Sequence, residues 1–366
     1  MSLDYARAMV IRLTVLLVVV LAGVSRAAGP IPQEALDDIA RRVVTEHGVP
    51  AVGLLVAEGG AETVAVAGVR RAGEAATVEM GDSWHLGSCT KAITSLLAAR
   101  LVDFGTITWD TTPADVLADL PPSVNAANAN ATLRQLLTHT SGLPGRESDL
   151  VVGLIAELRD NGQTSPAEQR LKVAYGTLSL EPTSTSGEAW AYCNGGYIVA
   201  GAMLEAAAGV PLEELFEREL FEPLGITSAG WGPPSDVSGH LNGDPVPYDN
   251  PLAYDAAGRL HVSLTDWAKR CRATLGTPND FLSDAAREAL LTPASDAEPR
   301  YGLGWILLDL PPLGPTATHD GTNTFWYARS TLALDQDVIV LVAVNTFDPV
   351  AGNAALDTII ERVTNP

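Results

Sequence analysis

The sequence predicts an α+β chain: one antiparallel β-sheet flanked by helices, with a mostly helical lobe inserted into it. Strand-like apolar runs stand near both ends of the 366 residues, and the long middle reads as helix and loop. With 46% hydrophobic and 18% charged residues, the chain has enough apolar side chains for a sizeable core, and a disordered chain is excluded.

The elements follow in order. Pro32 to Glu46 has the spacing of an amphipathic helix. Ala51–Ala57 and Glu62–Gly68 are apolar runs on either side of Glu58-Gly59-Gly60, which predicts a β-hairpin. Ala92 to Phe104 is apolar all round and stops at Gly105, as a buried helix does. From Trp109 to Leu290 helix and loop alternate, and Leu241–Tyr254, with Pro245, Pro247 and Pro251, is expected to be a surface loop. Three strands are expected at Gly302–Leu308, Trp326–Leu334 and Val338–Val344, the last two paired across Asp335-Gln336-Asp337, before a short closing helix at Leu356–Val363. This puts a sheet lobe at about 28–108 and 291–366, a helical lobe at about 109–290, and a cleft between them.

Residues 1–27 read as a signal peptide. Arg7 and Arg12 precede the apolar run Leu13–Val24, and Ser25-Arg26-Ala27 supplies small residues for cleavage near Ala27. Secretion or export to a periplasm is the expectation; the alternative is an uncleaved N-terminal anchor. Cleavage removes three arginines and one aspartate, taking the net charge from −21 to −23. So acidic a chain repels phosphate backbones and anionic lipid, which argues against nucleic acid and membrane surfaces as partners. A small-molecule or peptide substrate and a monomeric state are expected, with no stable membrane insertion after cleavage. The three cysteines, Cys89, Cys193 and Cys271, are too few for a disulfide scaffold, and no Cys-x-x-Cys or His-Glu-x-x-His spacing points to a metal. No metal and no cofactor are expected.

The chemistry begins at Ser88-Cys89-Thr90-Lys91. The chain has only three lysines, and Lys91 stands in an apolar stretch three residues after a serine at a helix start. That spacing puts amine and hydroxyl on one helix face, where the helix dipole favours negative charge on the attacking oxygen. A serine can be activated this way without histidine.

Two more motifs, Tyr192-Cys193-Asn194 and His319-Asp320-Gly321, complete an ordered set. With Trp84–Lys91, Leu136–Pro144, Tyr192–Gly201, Tyr301–Trp305 and His319–Trp326, the chain resembles the serine β-lactamase and DD-peptidase superfamily, in particular its class C β-lactamase, DD-carboxypeptidase and esterase branch. A second Tyr-x-Asn, Tyr248-Asp249-Asn250, lies in the Pro-rich loop and is set aside for Tyr192, which abuts the helical stretch Tyr197–Ala208.

The resemblance implies roles. Ser88 attacks a carbonyl; Lys91, its pKa lowered by desolvation, receives or relays the proton; Tyr192 shuttles it, its phenolate favoured by the nearby ammonium and imidazole. Asn194 orients substrate or Lys91. The backbone N–H groups of Ser88 and Thr322 form the oxyanion hole, and Gly321 admits the acyl group to the strand edge. His319 stands where a lysine is usual, which weakens the pull on a substrate carboxylate. Asp320 replaces a small hydroxyl residue, where a carboxylate would repel anionic substrates; the alternative is that it points off the cleft side and pairs nearby. Cys89 and Cys193, inside converging motifs, are weighed as a disulfide or as two packed thiols. His47, His85, His139, His240 and His261 read as caps, core or surface.

The function expected is that of an exported serine hydrolase working through a Ser88 acyl-enzyme on an ester, amide or peptide bond. The alternatives are a catalytically silent binding module on the same fold, and a true β-lactamase or DD-carboxypeptidase.

Overall fold

The computed structural model describes residues 30–145, 149–161, 164–278 and 280–364. The expected signal segment lies outside them. Helix α1 (Gln33–His47) leads into β1 (Ala51–Glu58) and β2 (Ala61–Gly68), the hairpin expected around Gly59-Gly60. After β3 (Ser83–His85), a single 3₁₀ turn at Gly87–Cys89 opens α2 (Thr90–Asp103). α3 (Pro166–Leu178) and α4 (Asn194–Ala208) belong to the insert. β4 (Gly230–Trp231), α5 (Asp255–Gly258) and β5 (Leu260–Ser263) return the chain toward the sheet. There α6 (Leu264–Leu275), capped by Ser263, packs on β1 as well as on the insert to which the sequence assigns it. The chain closes with β6 (Ile306–Leu310), β7 (Gly314–Thr322), β8 (Tyr327–Ala333), β9 (Val338–Val344) and α7 (Pro349–Thr364).

The main sheet has the order β2-β1-β9-β8-β7-β6, with every neighbouring pair antiparallel. It joins the two ends of the chain where β1 pairs with β9 in the register Val52↔Val344 to Glu58↔Val338. Both faces are covered, which is why β1 and β9 are apolar without alternation and buried throughout. Leu54, Val56, Val340 and Val342 face α1 and α7, against Leu36, Ile39 and Ile359. Leu55, Leu341 and Ala343 face the larger core, with Ile93, Leu96 and Trp267. α2 is apolar all round because that core encloses it.

Four expectations need correction. The strand expected at Gly302–Leu308 starts at Ile306, because Gly302 to Trp305 turn, closed by the Gly302 N–H on the Trp305 carbonyl at 2.8 Å. The sheet has six strands where five were expected. β7 escapes the pattern because its buried interior is threonine, Thr318 donating to the Ser330 carbonyl at 2.9 Å and Thr316 to the Gly314 carbonyl at 2.8 Å. The Pro-rich loop contains a short ladder, Gly239–Leu241 with Asp244–Val246. The closing helix also begins seven residues early, at Pro349, where the Asp348 side chain accepts from the N–H of Val350 and Ala351.

One contact places α2 against the sheet. A Cβ on Gly321 of β7 would lie 1.9 Å from the Leu86 carbonyl oxygen, and one on Gly87 would lie 2.2 Å from the Thr322 nitrogen. Gly87 also has φ +49°. The turn and the end of β7 therefore meet backbone to backbone, and no side chain fits on either partner. Gly321→Ala is expected to destabilise the chain by about 3 kcal/mol or more in urea unfolding. Gly81→Ala, at a position with nothing within 4 Å, serves as the neutral control. Equal midpoints for the two variants would contradict this contact.

Candidate active site

The turn at Gly87–Cys89 lifts one side chain out of a buried surround: Leu86, Gly87, Cys89 and Thr90 are buried, and Ser88 is half-buried. Lys91, on the first turn of α2, is fully buried, and its Nζ stands 3.1 Å from Ser88 Oγ. The same amine donates to Asn194 Oδ1 at 2.7 Å and to the Ala257 carbonyl at 2.7 Å. Ser88, Lys91 and Asn194 are thus brought together as the sequence predicts, from the starts of α2 and α4. The Ala257 carbonyl is an addition, since a backbone oxygen carries no sequence signal. Tyr192 joins them, with Lys91 Nζ 5.0 Å from the centre of its ring.

His139, which the sequence leaves among core histidines, lies beneath Tyr192. Their ring centres are 4.4 Å apart, and His139 Nδ1 accepts the Cys193 N–H at 3.1 Å, so its proton sits on Nε2. Burial, then the nearby Lys91 and His319, push its pKa well below the ordinary value. His139 also has φ +60°, a left-handed conformation set in the Leu136–Pro144 segment. A neutral ring wedged under the Tyr192 segment holds that segment in place, and the non-local contact explains why sequence reading missed it.

His319 is fully buried on β7. Its Nδ1 lies 2.6 Å from the Asp320 carbonyl and its Nε2 2.9 Å from the Tyr301 hydroxyl, so Nδ1 carries the hydrogen and Nε2 accepts from Tyr301. Burial above all, with Lys91 second, lowers its pKa to about 3. The ring is neutral near pH 7. The imidazole expected to help charge-stabilise Tyr192 therefore carries no charge, which leaves the Lys91 amine as the basic group beside Tyr192.

Asp320 is not on the substrate side. Strand alternation turns it away from His319 and Gly321, and its Oδ1 accepts from the Tyr327 hydroxyl at 2.9 Å and pairs with Arg329 Nε at 3.4 Å. Tyr327 belongs to the core under α1 and α7. The expectation that Asp320 sets selectivity is replaced by its alternative, a paired carboxylate on the far face. Gly321 is required by the Leu86 backbone, whatever the approach of an acyl group demands. Thr322 ends β7 beside Gly87, which brings its backbone nitrogen to the Ser88 turn.

The three cysteines are buried and none is in a disulfide, and Cys89 Sγ donates to the His319 carbonyl at 3.2 Å, so Cys89 and Cys193 are two packed thiols. Among the described residues no group of three or more His, Cys, Asp or Glu is arranged to hold a metal ion. Beside Asn194 an open hollow is walled by Pro144, Leu180, Ile198 and Tyr254.

Residues 36–364 match the family model described as Beta-lactamase. The chain belongs to the beta-lactamase family. A relative in that family is penicillin-binding protein 4 of Amycolatopsis lactamdurans, 26% identical over 322 residues that cover 78% of each chain. Another is esterase EstB of Burkholderia gladioli, 27% identical across 72% of this chain and 77% of the relative. Among solved structures, a class C beta-lactamase superposes with a TM-score of 0.74 over 91% of this chain and 96% of its own, at 16% identity, which is a likeness of fold. The family and these relatives make the chain a serine-hydrolase-type member of the beta-lactamase fold.

The neutral histidines have a measurable cost. A histidine whose folded pKa lies below its unfolded value near 6.5 stabilises the native state above that value and loses the contribution as pH falls toward the folded pKa. His319 spans the window from about 6.5 to about 3. Urea unfolding free energies should therefore fall with acidification below pH 6.5, and His319→Gln should make that fall shallower by about 1.4 kcal/mol per pH unit. An unchanged slope would show that His319 is protonated in the native state.

Proposed function

We propose that this beta-lactamase family member is an exported hydrolase that transfers the acyl group of a neutral ester or amide to Ser88 and then to water. The carrying observation is the placement of Lys91: two fixed acceptors, Asn194 Oδ1 and the Ala257 carbonyl, take N–H groups, and the amine stands 3.1 Å from Ser88 Oγ. In its neutral form it turns its lone pair to the serine hydroxyl.

In the acylation step the Ser88 oxygen bonds to the substrate carbonyl carbon while its proton passes to Lys91. The resulting oxyanion lies between the N–H groups of Ser88 and Thr322, and on collapse the carbon–leaving-group bond breaks. Tyr192, beside Lys91, passes the proton to the departing alcohol or amine. Water then attacks the ester on Ser88, gives up a proton through Tyr192 and Lys91, and frees the acid and the serine. His319 supports the choice of neutral substrates: a carboxylate placed there meets an uncharged imidazole whose Nε2 already accepts from Tyr301.

A fluorescent phosphonate should label the chain at Ser88, and Ser88→Ala should abolish labelling. Lys91→Ala is expected to slow it by about a thousandfold with the fold retained by circular dichroism, and Tyr192→Phe to slow deacylation of p-nitrophenyl acetate more than acylation. On a panel of p-nitrophenyl esters, D-amino-acid amides, D-Ala-D-Ala peptides and nitrocefin, kcat/KM for the neutral substrates should exceed that for nitrocefin by about tenfold or more. Absence of labelling by any acylating probe would favour the silent binding module; a preference for nitrocefin would favour a true β-lactamase.

A further inference from the structure

The second Tyr-x-Asn, Tyr248-Asp249-Asn250, plays no part in the chemistry above, yet its two polar residues are tied into the site. The Asp249 carboxylate, 7% exposed, gathers side chains from three separate segments. His85 Nε2 of β3 stands 3.0 Å from Oδ1, Asn323 Nδ2 donates to Oδ1 at 2.8 Å, and Arg259 Nε donates to Oδ2 at 3.3 Å. Asn250 Nδ2 donates to the Gly258 carbonyl at 2.8 Å.

Three of these partners, His85, Asn323 and Gly258, lead to a backbone group that the proposed reaction uses. His85 Nδ1 accepts the N–H of Gly87, the residue before Ser88, at 3.0 Å. Asn323 follows Thr322. Gly258 follows Ala257, whose carbonyl takes Lys91, and a Cβ on Gly258 would lie 3.5 Å from the Gly87 carbonyl carbon. The loop thus holds the nucleophile turn, the end of β7 and the Lys91 acceptor at one point.

We propose that Asp249 is a positioning residue that sets the width of the oxyanion hole. Its one carboxylate fixes the Ser88 side through His85 and Gly87, and the Thr322 side through Asn323. The two N–H groups therefore keep the separation that a tetrahedral oxyanion needs. The inference rests on the acyl-enzyme reading above. Because each arm acts only through that carboxylate, the loss at an arm and the loss at Asp249 are coupled and do not multiply. Because acylation and deacylation both pass through an oxyanion in the same hole, loosening it slows both steps alike. A purely structural role would instead lower the fraction of active molecules and leave the rate constants of the active ones unchanged.

The test uses the full chain in stopped-flow with p-nitrophenyl acetate, the burst amplitude giving the active fraction, and phosphonate adduct mass giving the site of attack. Asp249→Ala is expected to slow acylation and deacylation each by about 100-fold per active site, and His85→Ala and Asn323→Ala each by about 10-fold. Adding either change to Asp249→Ala should cost less than about threefold more. Asp249→Asn, of nearly the same volume, carries the test if Asp249→Ala does not fold, and should slow both steps by about 10-fold. Aspartate variants within about threefold of the wild type per active site, or double variants whose losses multiply in full, would overturn the inference. A wild type that forms no Ser88 adduct overturns the acyl-enzyme reading and this inference together; an adduct with unaffected Asp249 variants overturns this inference alone.

Discussion

The site exists because two backbones meet with nothing between them. Gly87, one residue before the nucleophile, lies against Thr322, and Gly321 lies against the Leu86 carbonyl. A side chain at either glycine would separate α2 from β7, moving Ser88 away from the strand end and Lys91 away from α4. The rest of the fold serves that approach. β7 is held between β6 and β8, α2 is enclosed in the larger core, and the pairing of β1 with β9 ties the ends of the chain into one sheet that backs both.

Around that contact the electrostatics are arranged by burial. The Lys91 amine stands at the centre, within hydrogen-bond distance of Ser88, Asn194 and the Ala257 carbonyl. The two imidazoles nearest to it, His139 and His319, are kept neutral by desolvation and by the same lysine. Tyr301 is pushed well above the usual phenol range by burial and by its tyrosine neighbours, so it remains a hydroxyl that can donate to His319. Asp320, the nearest acid on the strand, is turned to the opposite face and paired with Arg329. The Lys91 amine, beside the serine and the tyrosine, is therefore the group left to take up and release a proton at the reacting centre.

What the sequence made legible was what is local. Ser88 and Lys91 share a helix turn, the hairpin follows its Gly59-Gly60 signal, and β9 is an unbroken apolar run. Tyr192, Asn194 and His319 were reached through motif order and not through physics, and the structure places them around Lys91. The errors come from non-local chemistry. β7 was missed as an element because its threonines are satisfied by hydrogen bonds inside the sheet, a pairing that hydropathy does not register. Asp320 was assigned to the cleft because its motif neighbours are there, although strand alternation sends it to the other side. His85 and His139 were read as caps, core or surface and Asp249 was set aside with its motif, because most of their partners lie on other segments of the chain and a buried histidine looks the same in sequence whether it fills a core or fixes a backbone N–H.

The most direct measurement of the central claim, that the Gly87–Thr322 contact builds an oxyanion hole at Ser88, is a crystal structure of the phosphonate adduct. The account predicts a phosphorus–oxygen bond from Ser88 Oγ, with the phosphoryl oxygen about 2.7–3.1 Å from the backbone nitrogens of both Ser88 and Thr322. A phosphoryl oxygen directed away from Thr322, or an adduct on any other residue, would contradict it.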